Sequence, residues 1–254
     1  MELKILGCSG GIGGHLRTTA MLLDGDVLID AGTGVGDLSM AELQMIDHVF
    51  VTHAHLDHIC SIPFIVDAVG GLRDSPLTVH ATPATLNALR TYIFNNHIWP
   101  DFSRLPSVGR PYLRYSPMAV GETVTLGERH ITAVPAVHLV PAVGYHLRGP
   151  KASLVFTGDT TSNDALWAVV NDIEDLRYLI IETAFWEAER DVAVASKHLC
   201  PSLLAGELKK LKRHAELYIT HLKPGEMELT MQQVQAAAGA LEPKMLATGQ
   251  VFTL

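Results

Sequence analysis

The first half of the chain alternates short apolar runs with turn residues, a pattern typical of β-strands joined by tight turns. The turn Asp24-Gly25 separates two such runs and predicts a β-hairpin. The apolar runs predict strands at 3–8, 18–23, 26–30, 48–53 and 77–81. Helical periodicity predicts helices at 39–45, 56–69 and 83–96. Ser39 and Thr82 are the N-caps expected for the first and last of these helices, and Pro63 should interrupt the second.

The second half repeats this strand-rich style. Strands are predicted at 124–137, where Gly127-Glu128 turns a hairpin, and at 143–148, 153–156, 178–182, 217–220 and 245–254. Helices are predicted at 164–171, 202–213 and 230–240. Two blocks of strands, each followed by helices, predict an α/β (α+β) fold with two sheets face to face and helices outside. We expect residues 1–254 to form a single domain, because no repeat or linker divides them.

Composition narrows the class of protein. The chain of 254 residues is 48% hydrophobic and 18% charged, as in folded globular proteins. Its net charge of -8 argues against a broad nucleic-acid-binding surface, which needs a basic excess. No apolar stretch reaches the roughly 18 residues of a membrane span, and the N-terminus lacks the pattern of a signal peptide. We therefore expect a cytoplasmic protein.

The three cysteines are Cys8, Cys60 and Cys200, and their number and wide separation do not predict a disulfide framework. Cys60 and Cys200 lie near candidate site residues and could be ligands. Packing as small apolar side chains is favoured for both.

The segment Val51–His58 places three histidines and one aspartate within six residues, in the pattern H-x-H-x-D-H. His53 and His55 are two residues apart, so on an extended chain they point the same way. Asp57 and His58 follow at the start of a helix or turn and should point to a second centre. Nitrogen and oxygen ligands of this kind suit zinc, manganese or iron. The segment therefore predicts a binuclear metal site.

Two metal ions need more ligands than this segment provides. His138, Asp159 and His221 each follow an apolar run, as residues at strand ends do, and are the candidates. Asp30 also ends an apolar run, and it could either cap a turn or orient a ligand histidine. The glycine-rich stretch 10–14 lacks the G-x-G-x-x-G spacing of a phosphate-binding loop, so we expect at most a loop near the site.

The order H-x-H-x-D-H, lone histidine, aspartate and final histidine resembles the metallo-β-lactamase superfamily over nearly the whole chain. The resemblance implies a four-layer αββα sandwich with two divalent metal ions at one edge, between the sheets. Zinc is the expected metal, and manganese or iron would accept the same ligands. The ligands implied are His53, His55 and His138 for the first ion, Asp57, His58 and His221 for the second, and Asp159 as the bridge.

The segments Ile180–Phe185 (I-I-E-T-A-F) and Ser196–Leu199 (S-K-H-L) resemble the phosphodiesterase branch of this superfamily. In that branch a glutamate holds a histidine near the metals, which implies Glu182 as the orienting residue and His198 as the general acid. Asp57, a ligand, is counted with them as a catalytic residue. The alternative is that Glu182 is a strand-end charge and His198 only begins a helix.

Within this branch the chain is similar to the class II 3',5'-cyclic nucleotide phosphodiesterases. The shared features are T-H-x-H-L-D-H-I, N-N-x-I-W-P-D-F at 95–102, I-E-T-A-F, H-L-x-P-S-L-L and I-T-H-L-K-P. The chain departs from the pattern at Val66, where the family tends to have serine, and at Pro63. The similarity implies hydrolysis of cyclic AMP or cyclic GMP to the 5'-nucleotide, with Asn96 and Trp99 as candidate substrate contacts.

Other hydrolases share parts of this pattern. The tRNA 3'-processing endonuclease tRNase Z has the same glutamate and histidine, but it would need a basic arm for tRNA, and the chain has no insertion rich in lysine or arginine. A thioester hydrolase of the glyoxalase II type would have no use for Glu182 and His198. We therefore expect a small phosphodiester as the binding partner rather than nucleic acid, and the sequence leaves a homodimer open.

Overall fold

The computed structural model describes all 254 residues, and two large β-sheets dominate it. The strands, numbered in chain order, are Glu2–Gly7 (β1), Ala20–Leu23 (β2), Val27–Ala31 (β3), His48–Phe50 (β4), Leu77–Ala81 (β5), Pro106–Ser107 (β6), Arg110–Pro111 (β7), Leu113–Pro117 (β8), Thr123–Leu126 (β9), Arg129–Pro135 (β10), Val143–Arg148 (β11), Ser153–Phe156 (β12), Leu176–Glu182 (β13), Glu216–Thr220 (β14), Lys244–Met245 (β15) and Val251–Thr253 (β16). The α-helices are Met40–Met45 (α1), Leu56–Ile59 (α2), Ile62–Val69 (α3), Pro83–Ala88 (α4), Asp164–Asp172 (α5), Arg190–Ser196 (α6), Pro201–Leu208 (α7) and Met227–Ala238 (α8).

Both sheets are built in the same way, from an antiparallel half and a parallel half. The first sheet has the order β16-β1-β2-β3-β4-β5-β8, and its strands run parallel from β3 to β8. The second has the order β15-β14-β13-β12-β11-β10-β9 and runs parallel from β12 to β15. Parallel strands need a connection on a sheet face. Several of these connections contain helices.

Three buried apolar clusters separate four layers. One cluster of 22 residues joins the first sheet to α3 and α4, and one of 17 joins the second sheet to α5, α7 and α8. The third, of 21 residues, lies between the sheets and takes side chains such as Ile29 and Phe156 from both. Each sheet is thus buried on two faces, which explains the continuous apolar runs of its strands. The predicted α/β sandwich is confirmed.

The last ten residues differ from the prediction of one strand at 245–254. The chain instead forms β15 at the edge of the second sheet and then crosses to the first sheet as β16. The crossing turns at Gly249, whose φ of 86° lies in the left-handed region that favours glycine. The single strand predicted here is therefore two short strands, one in each sheet.

The helical segment predicted at 56–69 is interrupted, as expected. It forms two helices, α2 and α3, and Pro63 lies in the first turn of the second. Proline is tolerated there because the first turn needs no N–H donor. The predicted helix 83–96 ends earlier, with α4 continuing as a π-helical turn at Leu89–Ile93.

Other boundaries also moved. The helix predicted at 202–213 ends at Leu208, while α6, β8 and the short β6–β7 pair were not predicted. The capping box of α1 was predicted and is present, with Ser39 and Glu42 bonded to each other's backbone N–H. None of the helices is long and apolar enough to cross a membrane.

Candidate active site

The candidate site lies where strands of both sheets end. β4 stops at Phe50, and Val51–His55 continues without regular structure until His55 becomes the N-cap of α2. Asp57 and His58 lie in that helix, as the sequence indicated. The segment is fixed to the second sheet by two bonds: Tyr145 donates its hydroxyl to the Val51 carbonyl at 2.9 Å, and the Val143 N–H donates to the Thr52 carbonyl at 3.0 Å.

The remaining candidate ligands also follow strands. His138 lies after β10, Asp159 after β12 and His221 directly after β14. Gly158 precedes Asp159 with a φ of 61°, and a Cβ there would lie 2.6 Å from the Val143 carbonyl oxygen. Only glycine fits this turn without strain, and it lets the carboxylate of Asp159 enter the site.

His53, His55, His138 and Asp159 form a first group of possible metal ligands. His55 Nδ1 lies 3.0 Å from His53 Nε2 and 3.2 Å from His138 Nε2. The rings of these histidines pack edge to face, with centroids 4.6 to 4.9 Å apart. His53 and His138 are buried, so bulk water has only partial access to this group of ligands.

Asp57, His58 and His221 form a second group. Asp57 Oδ2 lies 3.7 Å from Nε2 of each histidine. Asp159 lies between the two groups, because its Oδ2 is 3.6 Å from His53 Nε2, 3.4 Å from His58 Nε2 and 3.5 Å from His221 Nε2. The structure thus brings all seven predicted ligands together, with Asp159 between the two groups.

The donor atoms fit divalent cations. His138 Nδ1 lies 3.2 Å from the Lys197 carbonyl oxygen and His58 Nδ1 2.7 Å from the Asp30 carboxylate, so both nitrogens are protonated donors. A neutral imidazole with Nδ1–H has a lone pair on Nε2. Both Nε2 atoms face the cluster, and that of His58 is buried without a hydrogen-bond partner. Lone pairs and carboxylates converging in a buried space are the ligands that zinc or another divalent ion takes.

Asp30 orients this second group rather than only capping a turn. Its carboxylate is fully buried and accepts bonds from the Thr52 N–H at 2.8 Å, from the Thr52 hydroxyl and from His58 Nδ1. Burial disfavours the charged form of His58, but in the metal-free protein the carboxylates of Asp159 and Asp30 outweigh it and hold the pKa of His58 well above its usual range, so a bound metal ion would displace the Nε2 proton. The second of the two roles left open by the sequence is the one found.

Glu182 and His198 form the predicted pair beside the ligands. His198 Nδ1 donates to Glu182 Oε1 at 2.7 Å, and Glu182, the last residue of β13, is fully buried. The same carboxylate accepts three backbone N–H groups, from Thr160, Ala184 and Leu199, at 3.1 to 3.3 Å. Burial raises the pKa of Glu182 above its ordinary value, while His198 and the backbone donors act in the opposite direction and favour the ionised form.

His198 lies directly beside the candidate metal ligands. Its ring packs against His138 and His221, with centroids 4.8 and 5.4 Å away, and a ring nitrogen lies within 4.8 Å of ligand atoms of Asp159 and His221. Burial lowers the pKa of His198, but Glu182 raises it more, so the net pKa is above the ordinary value. The structure thus places an imidazole with a raised pKa next to the ligand cluster.

The predicted substrate contacts lie in the loop after α4. Asn96 has a φ of 63°, its N–H donates to the Trp99 carbonyl, and its side-chain oxygen accepts from the Asp101 N–H. Trp99 packs edge to face on Phe64 of α3, with ring centroids 5.3 Å apart. No hydrogen bond or ring contact joins Asn96 or Trp99 to the seven ligands, so their predicted role stays a prediction.

Sequence reasoning missed or left open several residues around the ligands. Cys60 and Cys200 are free thiols and belong to neither ligand group. Gly10 of the glycine-rich loop packs on the His221 backbone, and its carbonyl accepts from Lys223 Nζ at 2.7 Å, so this loop borders the site. Lys197, which contacts His138, lies in the quoted segment S-K-H-L, but the sequence predicted no role for it.

Comparison with known proteins supports the resemblance to the metallo-β-lactamase superfamily that the sequence indicated. The model of a family described as "Beta-lactamase superfamily domain" matches residues 26–241, a range that includes every candidate ligand and the Glu182–His198 pair. The chain belongs to this family. The metallo-β-lactamase fold implies divalent metal ions, and the His and Asp clusters described above are where this chain could hold them.

Two kinds of relative share this fold. A probable 3',5'-cyclic-nucleotide phosphodiesterase of Yersinia pestis is 26% identical over 205 residues, which cover 71% of this chain and 58% of the Yersinia protein. Ribonuclease Z of Haloarcula marismortui is 24% identical and aligns over 87% of this chain and 86% of its own length. Among solved structures, unliganded yeast PDE1 has a TM-score of 0.81 at 18% identity, covering 100% of this chain and 99% of that one. The chain is thus a metallo-β-lactamase-fold hydrolase with relatives among phosphodiesterases and ribonucleases.

Proposed function

We propose that this protein is a metal-dependent phosphodiesterase that hydrolyses 3',5'-cyclic nucleotides, cyclic AMP or cyclic GMP, to 5'-nucleotides. The observation that carries the proposal is the Glu182–His198 pair, with its 2.7 Å bond, packed against two ligand histidines. A buried imidazole held protonated by a carboxylate is suited to protonate an alkoxide leaving group. The similarity to the Yersinia protein supports the substrate class.

Two divalent ions, zinc in the first instance, would be held by the seven ligands with Asp159 between them. When bound, such ions supply Lewis-acid catalysis by neutralising phosphoryl charge and by making a water nucleophilic at neutral pH. The carboxylate of Asp57 is partly exposed and lies 3.7 Å from Nε2 of both His58 and His221, and we expect it to orient an entering water. Five of the seven ligands are buried, which would limit the access of bulk water to a bound phosphoryl group.

His198 then determines which ester bond breaks. Protonation of the 3'-oxygen by His198 as the P–O3' bond opens gives a 5'-nucleotide, whereas protonation of the 5'-oxygen would give a 3'-nucleotide. Glu182 stabilises the imidazolium before the transfer, and its three backbone bonds prevent it from moving away. General acid catalysis of this kind contributes about 10² to 10⁴ in rate.

A ribonuclease Z activity is the second candidate, because the Haloarcula relative aligns over 86% of its length. Two features of the chain disfavour it. The net charge is -8, and outside the two large sheets the only further sheet is the β6–β7 pair, two residues per strand. A tRNA substrate would need a larger basic surface. Thioester hydrolysis is disfavoured by the buried Glu182–His198 pair, which that reaction does not need.

The test is hydrolysis of cyclic AMP, cyclic GMP and bis(p-nitrophenyl) phosphate by the zinc-loaded protein, with a tRNA precursor bearing a 3' trailer as fourth substrate. We expect turnover of a cyclic nucleotide, with the 5'-nucleotide as product in chromatography. Asp159→Ala should abolish all turnover because it removes the bridging ligand.

Cleavage of the tRNA precursor without cyclic nucleotide turnover would replace the proposal with the ribonuclease. Turnover of only the activated diester would keep a binuclear phosphodiesterase but reject cyclic nucleotides. A 3'-nucleotide product would show that His198 does not act on the 3'-oxygen.

A further inference from the structure

Lys197 has a backbone conformation that lysine rarely adopts. Its φ of 53° and ψ of 47° are left-handed, directly after α6. The Lys197 N–H bonds to the Val194 carbonyl and the His198 N–H to the Ala193 carbonyl. These two bonds define the helix ending in which glycine is the usual left-handed residue. A side chain with a Cβ is at a disadvantage there, so lysine needs a compensating interaction.

That interaction is with the metal ligand His138, 59 residues away in sequence. His138 Nδ1–H donates to the Lys197 carbonyl oxygen at 3.2 Å, and Lys197 Nζ donates to the His138 carbonyl oxygen at 3.2 Å. The side chain of each residue thus donates a hydrogen bond to the backbone carbonyl of the other, and the two bonds hold the His138 loop against the end of α6. The first sets the tautomer of His138, so that Nε2 carries the lone pair facing His55.

The residue that follows Lys197 is the candidate proton donor. His198 follows Lys197 directly and is fixed by Glu182 at 2.7 Å. The dipeptide Lys197-His198 therefore holds a ligand of the first group with one residue and the candidate acid with the next. Movement at Lys197 would disturb both.

We propose that Lys197 is a positioning residue for the first metal site, and that its ammonium, together with its left-handed carbonyl, fixes His138 for metal binding. The proposal does not depend on which ester the protein hydrolyses, because it concerns only the affinity for the ion. It has a clear competitor, in which Lys197 merely ends α6. The two accounts predict different effects of Lys197→Gly on zinc affinity.

If Lys197 only ends the helix, Lys197→Gly removes backbone strain and should leave metal affinity equal or higher. If the ammonium braces His138, Lys197→Gly should raise or keep the thermal stability of the metal-free protein while zinc binds more weakly. Lys197→Met keeps the length of the side chain but not the ammonium, and should weaken zinc binding as well. We expect a loss of at least about tenfold in both, since residues that support metal ligands typically contribute 10- to 100-fold.

The experiment measures zinc affinity of the full-length protein by competition with a chromophoric chelator, for wild type and both variants. Glu242→Gly is the matched control, because Glu242 is also a left-handed non-glycine residue at a helix end, with a φ of 48°, and it is not among the candidate ligands. Nitrogen-15 NMR of the zinc-loaded proteins reports the protonation of His138 Nδ1, a signal that a purely helical role would not move.

Weaker zinc binding in both Lys197 variants, with Glu242→Gly unchanged and the His138 Nδ1 signal broadened, supports the proposal. Unchanged or tighter binding in both variants overturns it. A loss in only one of the two assigns the effect to the backbone instead of the ammonium, and also overturns it. Should Lys197→Met fold poorly, Lys197→Ala takes its place, because alanine also lacks the ammonium and keeps a Cβ.

Discussion

Replacing Glu182 with glutamine tests whether its carboxylate keeps His198 protonated. Oε1 accepts the Thr160 N–H and His198 Nδ1, while Oε2 accepts the Ala184 and Leu199 N–H groups. A glutamine amide must put its NH₂ group at one of these positions. At Oε2 it would face two backbone donors. At Oε1 it would face the Thr160 N–H, and only His198 could adapt, by giving up its Nδ1 proton.

The second orientation is therefore favoured, and it leaves one buried N–H without an acceptor. That orphaned group costs about 1 to 3 kcal/mol of folding free energy. His198 becomes a neutral imidazole, which is a much weaker acid than imidazolium. We expect kcat for cyclic AMP to fall by about 10² to 10⁴.

The assay compares cyclic AMP with bis(p-nitrophenyl) phosphate at equal zinc content. The nitrophenolate group leaves without a proton, so its hydrolysis should be nearly unaffected by Glu182→Gln. Glu207→Gln is the matched control, because Glu207 is a buried carboxylate that accepts the Asn163 N–H and the Trp167 indole N–H but contacts no imidazole. It should lower stability without changing the ratio of the two rates. Equal losses on both substrates for Glu182→Gln would refute the acid role.

Three further predictions concern the ligands and the fold. Asp30→Asn removes the charged partner of His58 and should weaken zinc binding about 10- to 100-fold in chelator competition, and unchanged affinity would contradict the orienting role. Burial and a neighbouring histidine depress the pKa of His80 to about 4, so in the metal-free protein its contribution to stability is present above pH 6.5 and is lost as the pH falls toward 4. His80→Phe should then remove about 1 to 2 kcal/mol of the stability change between pH 7 and pH 5, measured by urea unfolding; an identical pH slope would count against this. Gly158→Ala should cost more than about 2 kcal/mol in the same assay, because its Cβ would meet backbone oxygen 2.6 Å away, whereas Gly127→Ala, with a φ of 63° and open space, should cost only about 1; similar losses would show that the turn can relax.

The ligands could be predicted from sequence because their spacing is short and regular. Within Val51–His58 the extended chain fixes which side chains point together, and His138, Asp159 and His221 each follow an apolar run that ends at the same edge. Their convergence, however, depends on strand order. That order is set by packing between sheets, and the sequence does not display it.

The residues that orient the ligands could not be predicted in the same way. Asp30 is 28 residues from His58, and a carboxylate after an apolar run is equally suited to a turn. Lys197 was missed because its left-handed conformation is the reverse of what lysine favours, whereas glycine there would have signalled a helix end. The prediction of one strand at 245–254 was wrong for a related reason, because the end of the chain supplies one strand to each sheet.

The candidate metal site requires the two halves of the sandwich to be packed together. His53, His55 and His58 belong to the half that contains the first sheet, and His138 and Asp159 follow strands of the second. The metal-binding segment is also tied to the second sheet by the Tyr145 hydroxyl and the Val143 N–H. Neither half can bind the ions alone with this geometry, so metal binding should favour the packed state over any state with separated sheets. Zinc affinity is therefore a measure of packing between the sheets as well as of the ligands, and a substitution in the buried layer between them should weaken metal binding without touching a ligand.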